Sequence, residues 1–404
     1  MCVHGLLGIR HLHTFRENQL NNFYQTMEYN PAISDTSNAV AGQQDNSKIL
    51  WKQLLSLASL YASVIIGWIA YYNYQPILLE TYSFTDLTLF LFIVQGIIMV
   101  VTPPIAGHLG DKFRVTAGKR LPIISAGVSF AAMIFMATAF TLFTEPGPIF
   151  RWILPGLITL WLFSMALFTS PALSTIELFV PVKKLPTAMA VLTIVYGLLY
   201  SIEPVIVDII NFIGAPLTFV VGGVAVFFSG LLLKRNSTII TDKPKTTELG
   251  KSDFTYAFIL GIALGLATTV LFNLFPDMFI EKGFTILGVS GDGIISIILA
   301  AVAVLSLPMS KFTETRSVYM AILLSIIASL AVTAGIFLFD NHFVLAVLMI
   351  LFIVFYAMMS VSFLPLALSV VKDKQKVLGV GIFFAGFELP NGILEAILVY
   401  QGGF

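Results

Sequence analysis

Apolar runs of about 20 residues, separated by short polar connections, dominate the chain from residue 50 onward. A run of this length is what a helix needs to cross the hydrocarbon core of a bilayer. The pattern predicts eleven membrane-spanning helices. In chain order they cover 53–79, 87–109, 122–143, 152–176, 187–210, 215–233, 254–276, 289–308, 317–339, 343–370 and 377–400.

Two segments break this pattern. Residues 1–47 are polar and lack helical periodicity, which predicts a disordered tail. Three histidines lie there without a second ligand cluster, so no metal site is expected, and Met27 is a candidate alternative start. The hydrophilic stretch 235–253 follows six spans, and it predicts a linker between a six-helix bundle, 48–234, and a second bundle, 254–404.

Composition narrows the class of protein. The chain has 404 residues, of which 57% are hydrophobic and 11% are charged, and its mean hydropathy is +0.92. Soluble domains carry about 25% charged residues, so the sequence predicts an all-α, multi-pass membrane protein in a lipid bilayer. A formal net charge of zero gives no sign of a nucleic-acid partner, and the single cysteine, Cys2, excludes an intramolecular disulfide.

The distribution of bases predicts the orientation of the spans. If the N-terminus is cytoplasmic, only Arg151 and Lys282, of the 22 Lys and Arg residues, fall in outer connections. Basic residues accumulate on the cytoplasmic side of membrane proteins. An error in the number of spans would destroy this alternation of base-rich and base-poor connections. We therefore expect a cytoplasmic N-terminus, in the cell (inner) membrane.

Short motifs recur at corresponding spans and indicate two related halves. Asn-x-x-Pro occurs as Asn73–Pro76 in the first span and as Asn273–Pro276 in the seventh. An acid stands close to a proline in the fifth and in the eleventh span. Repeats with Pro-bent helices are typical of secondary transporters. A six-plus-six arrangement needs a twelfth helix, so we expect the second bundle to be incomplete, either because the chain is truncated or because the last span has been lost.

The segment GHLGDKFRVTAGKRLP, residues 107–122, resembles the loop between the second and third helices of the major facilitator superfamily. The seven-residue step from Asp111 to Gly118 is similar to the variant of the glycoside–pentoside–hexuronide and sucrose–proton symporters. The run GVGIFFAGFELPNGI in the eleventh span resembles a segment of the same group. The resemblance covers about residues 50–404 and implies two pseudo-symmetric helical bundles that work by alternating access.

The resemblance also implies a cytoplasmic gate in this loop. It makes Gly107 a position of tight helix packing and Asp111 a latch against the N-terminal end of the eleventh span near Val377. Gly118 permits the bend before the third span, and the bases of the loop hold it in the cytoplasm. The alternative is a loop that only fixes the orientation of the spans, and such a loop would need the bases but not Asp111 or the glycines. The proposed gate residues are Gly107, Asp111, Gly118, Lys119 and Arg120.

Two acids inside spans are the candidates for ion coupling. Glu203 lies in the fifth span and Glu388 in the eleventh, and an acid at the centre of a span costs roughly 2.5–3.5 kcal/mol on insertion scales. No base lies deep in a span, which favours protonation, or Na⁺ coordination, over an ion pair. The alternative is a structural role, in which the acid forms a hydrogen bond with a backbone group that the neighbouring proline leaves without its helical partner. Asp208 and Glu395 are expected nearer the outer surface, where solvation explains them.

Aromatic and amide side chains predict a substrate site. Trp68, Tyr72 and Gln75 share one face of the first span. Aromatic rings can stack on the apolar faces of sugars, and amides can bind hydroxyls, so this combination suits a polyol or glycoside. An interfacial aromatic belt is the alternative. The candidates are Trp68, Tyr71, Tyr72, Asn73, Gln75, Tyr196, Tyr200, Asn273 and Asn391.

The sequence therefore predicts a secondary active transporter, with proton-coupled symport of a sugar or glycoside as the first hypothesis. An exporter of amphipathic organic compounds, or a transporter of another small solute, is the alternative within this class. A non-transporting receptor or subunit is the alternative of another class. No metal-ligand motif, phosphate-binding loop or nucleophile motif is present, so we expect neither an enzyme nor a cofactor.

Overall fold

The computed structural model describes residues 48–81, 88–144, 150–238, 240, 242, 251–315 and 318–401. Within these ranges the chain is helical, with one isolated β-bridge between Ile286 and Val289 and no β-strand. Ten helices are long and apolar enough to cross a membrane, and the shorter apolar stretch Ser325–Leu338 belongs to an eleventh. The prediction of an all-helical, multi-pass membrane protein is confirmed. The predicted tail 1–47, and most of the predicted linker, lie outside the described residues.

The spans are numbered here in chain order, and three of them consist of two consecutive helices. The bounds are Trp51–Thr81 (span 1), Thr88–Ala117 (span 2), Leu121–Phe143 (span 3), Phe150–Ser174 and Ile176–Phe179 (span 4), Leu185–Ser201 and Glu203–Ile213 (span 5), Ala215–Ser237 (span 6), Phe254–Asn273 and Phe275–Glu281 (span 7), Asp292–Thr315 (span 8), Val318–Leu338 (span 9), His342–Ser369 (span 10) and Lys376–Tyr400 (span 11).

Span 2 is longer than the apolar pattern predicted, because its helix continues through the charged loop to Ala117. The turn that follows is correspondingly short. Asp111 and Arg114 are buried within this extension and have polar partners, so their charge does not end the helix. Gly118 ends it instead, with a φ of 66° that suits a residue without a side chain.

Spans 5 and 7 are broken next to a proline. A proline has no N–H and cannot complete the helical hydrogen bond to the fourth residue before it. In span 5 the first helix ends before Ile202, and the second begins at Glu203 beside Pro204. In span 7 the break falls at Leu274, two residues before Pro276. Spans 1 and 11 also contain an internal proline but remain single helices.

The two most extensive helix contacts between the first six spans and the last five are those of span 2 with span 11 and of span 5 with span 8. Glycines permit close approach of the backbones in both pairs. A Cβ atom at Gly107 of span 2 would lie 2.6 Å from the carbonyl oxygen of Val377 in span 11, and one at Gly197 of span 5 would lie 2.6 Å from that of Leu299 in span 8. Spans 2, 5 and 11 of these pairs also line the cavity described next.

Candidate functional site

A cavity of about 400 Å³ lies among spans 1, 2, 4, 5, 7, 10 and 11. Its volume is within the range of pockets that hold small organic molecules. Aromatic side chains form much of its wall, and three glutamates line it: Glu203, Glu388 and Glu395. No Lys, Arg or His is found among the described residues of the lining. The cavity is therefore acidic and aromatic, without a compensating base.

Glu203 and Glu388 reach the cavity from differently built helices. Glu203 is the first residue of the second helix of span 5, where the positive end of the helix dipole favours an acid. Glu388 lies inside the continuous helix of span 11, two residues before Pro390. Within the part of the chain that the structure describes, neither carboxylate has an ion-pair or side-chain hydrogen-bond partner. Both are available to a proton, a cation or a substrate group.

Six of the nine predicted substrate residues line the cavity. The rings of Tyr196 and Tyr200 contact each other at a tilt of 56°, with centroids 4.8 Å apart, and Tyr200 packs edge-on against Phe272 at 5.2 Å. On the other side, the rings of Trp68 and Tyr72 lie 5.9 Å apart. The six lining residues are Trp68, Tyr72, Tyr196, Tyr200, Asn273 and Asn391.

Tyr71 and Gln75 do not line the cavity. Both are buried and donate to the same acceptor, Gln95 Oε1 of span 2, at 3.0 Å and 3.1 Å respectively. The Tyr71 ring also stacks on Trp161 with centroids 4.8 Å apart. Their side chains thus hold spans 1, 2 and 4 together, and their role in binding stays a prediction. The polar Gln95 inside an apolar run was the sequence signal for this cluster.

Asn73 also lies outside the lining. Its Nδ2 donates to Asn211 Oδ1 in the second helix of span 5, at 2.8 Å. Glu395, in contrast, was expected near the outer surface, and its carboxylate lines the cavity and accepts a hydrogen bond from Asn391 Nδ2 at 2.8 Å. Glu395 follows Glu388 by seven residues, two helical turns, which places both on one face of span 11. That spacing was a signal the sequence already contained.

A second cluster lies where spans 2 and 3, 4 and 5, and 10 and 11 are connected, which we call the base-rich end. Here the Asp111 carboxylate accepts hydrogen bonds from the backbone N–H groups of Val377 and Leu378, at 3.1 Å and 2.9 Å. These are free donors of the first turn of span 11, where an anion is favoured by the helix dipole. Gly107, one turn earlier, packs against the same two residues.

Arg114 extends this contact to other segments. Its Nε donates to Asp242 Oδ1 at 2.8 Å, and its Nη2 lies 3.4 Å from Asp373 Oδ1 in the connection before span 11. Asp242 belongs to the predicted linker, and its N–H donates to the Gly118 carbonyl at 3.1 Å. No pattern in the sequence indicated that Asp242 would be buried beside Arg114.

Arg120 is the most buried base of the cluster, with 1% of its surface exposed. It donates to Asp242 Oδ2 at 2.6 Å, to Glu177 Oε1 at 2.8 Å and to the Ser174 carbonyl at 2.7 Å. Burial alone would lower the pKa of Arg120, but the hydrogen bonds and charges of Asp242 and Glu177 outweigh it and raise the pKa above its usual range. Arg120 is therefore a permanent cation here.

Other bases close the same end. Lys376 of span 11 lies 3.2 Å from Glu177 Oε2, and Lys184 lies 2.8 Å from Glu314 Oε2 at the end of span 8. Lys119 Nζ donates to the Thr238 carbonyl at 2.6 Å. Among the described residues, each ion pair that joins the first six spans to the last five lies at this end.

A sequence model of the Major Facilitator Superfamily matches residues 57–394, most of the chain. The chain belongs to the major facilitator superfamily. Membership, together with the apolar helices, makes it an integral membrane transporter of the secondary type rather than an enzyme. No curated protein sequence matches the chain. The resemblance to the glycoside–pentoside–hexuronide group stays a prediction.

Solved structures of several transporters share the fold. The human organic anion transporter MFSD10 (TETRAN) is 12% identical, with a TM-score of 0.61 over 89% of this chain and 95% of its own. A bacterial homologue of the iron transporter ferroportin, in an outward-facing state with soaked iron, is 16% identical, with a TM-score of 0.64 over 88% and 92%. The E. coli fucose–proton symporter FucP is 13% identical, with a TM-score of 0.52 over 86% and 92%. These identities support the fold alone.

Proposed function

We propose that this transporter carries out proton-coupled symport of a sugar or glycoside. The observation that carries the proposal is the cavity lined by Glu203 and Glu388 without a described base. A carboxylate that lacks an ion-pair partner in a membrane can take up a proton without breaking a salt bridge. Sodium is the alternative coupling ion, since carboxylate oxygens also ligate hard cations. FucP, the E. coli fucose–proton symporter, shares the fold.

The cavity wall supports a polyhydroxy substrate. The rings of Trp68, Tyr72, Tyr196 and Tyr200 offer flat apolar faces, and small polar groups between them can bind hydroxyls. The lining hydroxyl and amide groups come from Thr169, Ser170, Thr193, Thr268, Thr269, Asn273, Ser360 and Asn391.

The contacts at the base-rich end support a gate. The distribution of bases predicts that this end is cytoplasmic, and Asp111, Arg114 and Lys376 join the two sets of spans there. We infer that the structure has its cytoplasmic side closed and that inward opening breaks these contacts. Gly107, Asp111, Gly118, Lys119 and Arg120 would then act together as the latch of alternating access.

A proton-uptake assay tests the coupling residues. In proteoliposomes that enclose a pH dye, addition of a transported sugar should acidify the lumen in the wild type. Glu388→Gln and Glu203→Gln should reduce this signal roughly 5- to 150-fold, the usual range of coupling between two ligands. Glu281→Gln is the matched control, because Glu281 is exposed outside the cavity. Wild-type proton uptake in both cavity variants would refute the assignment.

The cavity also favours a second candidate, an exporter of amphipathic organic cations. Carboxylates beside aromatic rings attract a cation through charge and cation–π interactions, and no described base in the lining would repel it. The same absence argues against an organic anion as substrate. Uptake with a sugar panel, run in parallel with tetraphenylphosphonium, separates the two: the sugar proposal fails if only the cation moves protons. A receptor or subunit would show no counterflow of either.

A further inference from the structure

A chain of three side chains crosses the cavity lining from span 7 to span 11. Asn273 is the last residue before the break in span 7, and its Nδ2 donates to the Thr269 carbonyl at 3.1 Å and to Asn391 Oδ1 at 3.2 Å. Asn391 in turn donates to Glu395 Oε1 at 2.8 Å. All three interacting side chains line the cavity. The acceptor Glu395 thus fixes which way the Asn391 amide points.

Three hydrogen-bonding groups of this chain remain unused by the described residues. They are Asn273 Oδ1, the second N–H of Asn391 and Glu395 Oε2. The set consists of an acceptor, a donor and an acceptor. Each hydroxyl of a vicinal diol can donate one hydrogen bond and accept another, so two adjacent hydroxyls match the set. A carbonyl or a carboxylate would leave Glu395 without a donor.

The first half of the chain contains a related pair of asparagines, which helps to distinguish a structural role from a role in substrate binding. Asn73, the Asn-x-x-Pro residue of span 1, donates to Asn211 of span 5, as Asn273 of span 7 donates to Asn391 of span 11. Four residues after Asn211 the chain has Ala215, where Asn391 is followed by Glu395. Neither Asn73 nor Asn211 lines the cavity. The amide pair therefore recurs as a helix-to-helix contact, and the carboxylate is added only on the cavity side.

We propose that Asn273, Asn391 and Glu395 form a subsite for two adjacent hydroxyls of the substrate, with Glu395 as its specificity-determining residue. This rests on the proposed sugar transport. Glu395 serves here as a hydrogen-bond acceptor and orients Asn391, while the coupling role remains with Glu203 and Glu388. A site built to bind a hydroxyl discriminates strongly against an analogue without it, because its own polar groups are then left unpaired.

Binding of methyl glucoside and its monodeoxy derivatives to the purified full chain tests the subsite. The wild type should bind the parent more tightly than the derivatives that lack a contacting hydroxyl. Glu395→Gln turns the free acceptor into a donor, or removes the bond to Asn391, and should weaken parent binding about ten- to a hundredfold. The ratio of parent to deoxy affinity should also fall towards one, which a general loss of stability would not cause.

Matched variants keep the outcomes distinct. Asn273→Ala should lower affinity and selectivity, whereas Asn211→Ala, which breaks the related pair of the first half, should leave both at wild-type values. Unchanged affinity and selectivity in Glu395→Gln, with sugar-driven proton uptake intact in the wild type, would overturn the subsite and leave the proposed function standing. Absence of any sugar binding to the wild type, with tetraphenylphosphonium moving protons, would overturn both.

Discussion

Acids in the base-rich end and acids in the cavity have opposite surroundings. Asp111 and Asp242 are almost fully buried, yet each lies within hydrogen-bonding distance of an arginine or of free backbone N–H groups. Glu203 and Glu388 are less buried and have no such partner among the described residues. Removing one member of a buried ion pair leaves an uncompensated charge. Neutralising an unpaired acid instead removes the energetic cost of holding a charge without a partner in the membrane. Loss of charge should therefore destabilise the base-rich end but not the cavity.

Arg120→Met should have the largest effect on stability. It leaves Asp242 and Glu177 each short of one buried partner, and loss of one side of a buried pair costs about 3–5 kcal/mol. Thermal unfolding in detergent measures the change, with Lys112→Met as control because Lys112 is exposed. An unfolding midpoint equal to that of the control would show that the buried pairs contribute little.

Asp111→Asn should have an intermediate effect, on conformation more than on folding. Asparagine keeps an acceptor for span 11 but loses the charge, and a hydrogen bond to a charged group is worth about 1.5–3 kcal/mol. The equilibrium should therefore shift roughly ten- to a hundredfold towards opening at the base-rich end. Labelling of Thr193→Cys in the cavity, in a Cys2→Ser background, reports the shift with a membrane-impermeant maleimide.

Two results would contradict the latch. Labelling from the base-rich side that matches the parent would show that Asp111 does not hold the end closed. An equal increase for Glu80→Gln, an exposed acid far along the chain from this loop, would show that the assay responds to any loss of negative charge.

Glu388→Gln should have the smallest effect on stability. The two side chains are nearly isosteric, and glutamine avoids the cost of a charge that lacks a partner. We expect the free energy of unfolding to change by less than about 1 kcal/mol, or to rise, while proton-coupled uptake falls. Thermal unfolding alongside Arg120→Met makes the comparison direct. A loss as large as that of Arg120→Met would reveal a structural partner for Glu388.

Several features of the site were accessible from sequence. Glu203, Glu388, Trp68 and Tyr200 were singled out as polar or aromatic residues inside apolar runs, and they line the cavity. The contact between Asp111 and the start of span 11 was expected from the family resemblance. Tyr71 and Gln75 were predicted to bind substrate like their neighbours. Helical spacing shows which face of a helix a residue occupies, but not which other helix packs against that face. Glu395 was missed because depth in the membrane was judged from distance along the chain alone.

The sequence by itself determined the number, approximate limits and helical nature of the spans. Each span is specified by its own run of apolar residues, because a backbone in lipid must satisfy its hydrogen bonds within the segment. Tertiary structure decided which charges became paired. Asp242 meets Arg114 and Arg120, residues 128 and 122 positions away, whereas Glu388 meets no base among the residues that the structure describes. Such pairings depend on how helices pack, and packing places distant segments side by side through contacts that no local pattern contains.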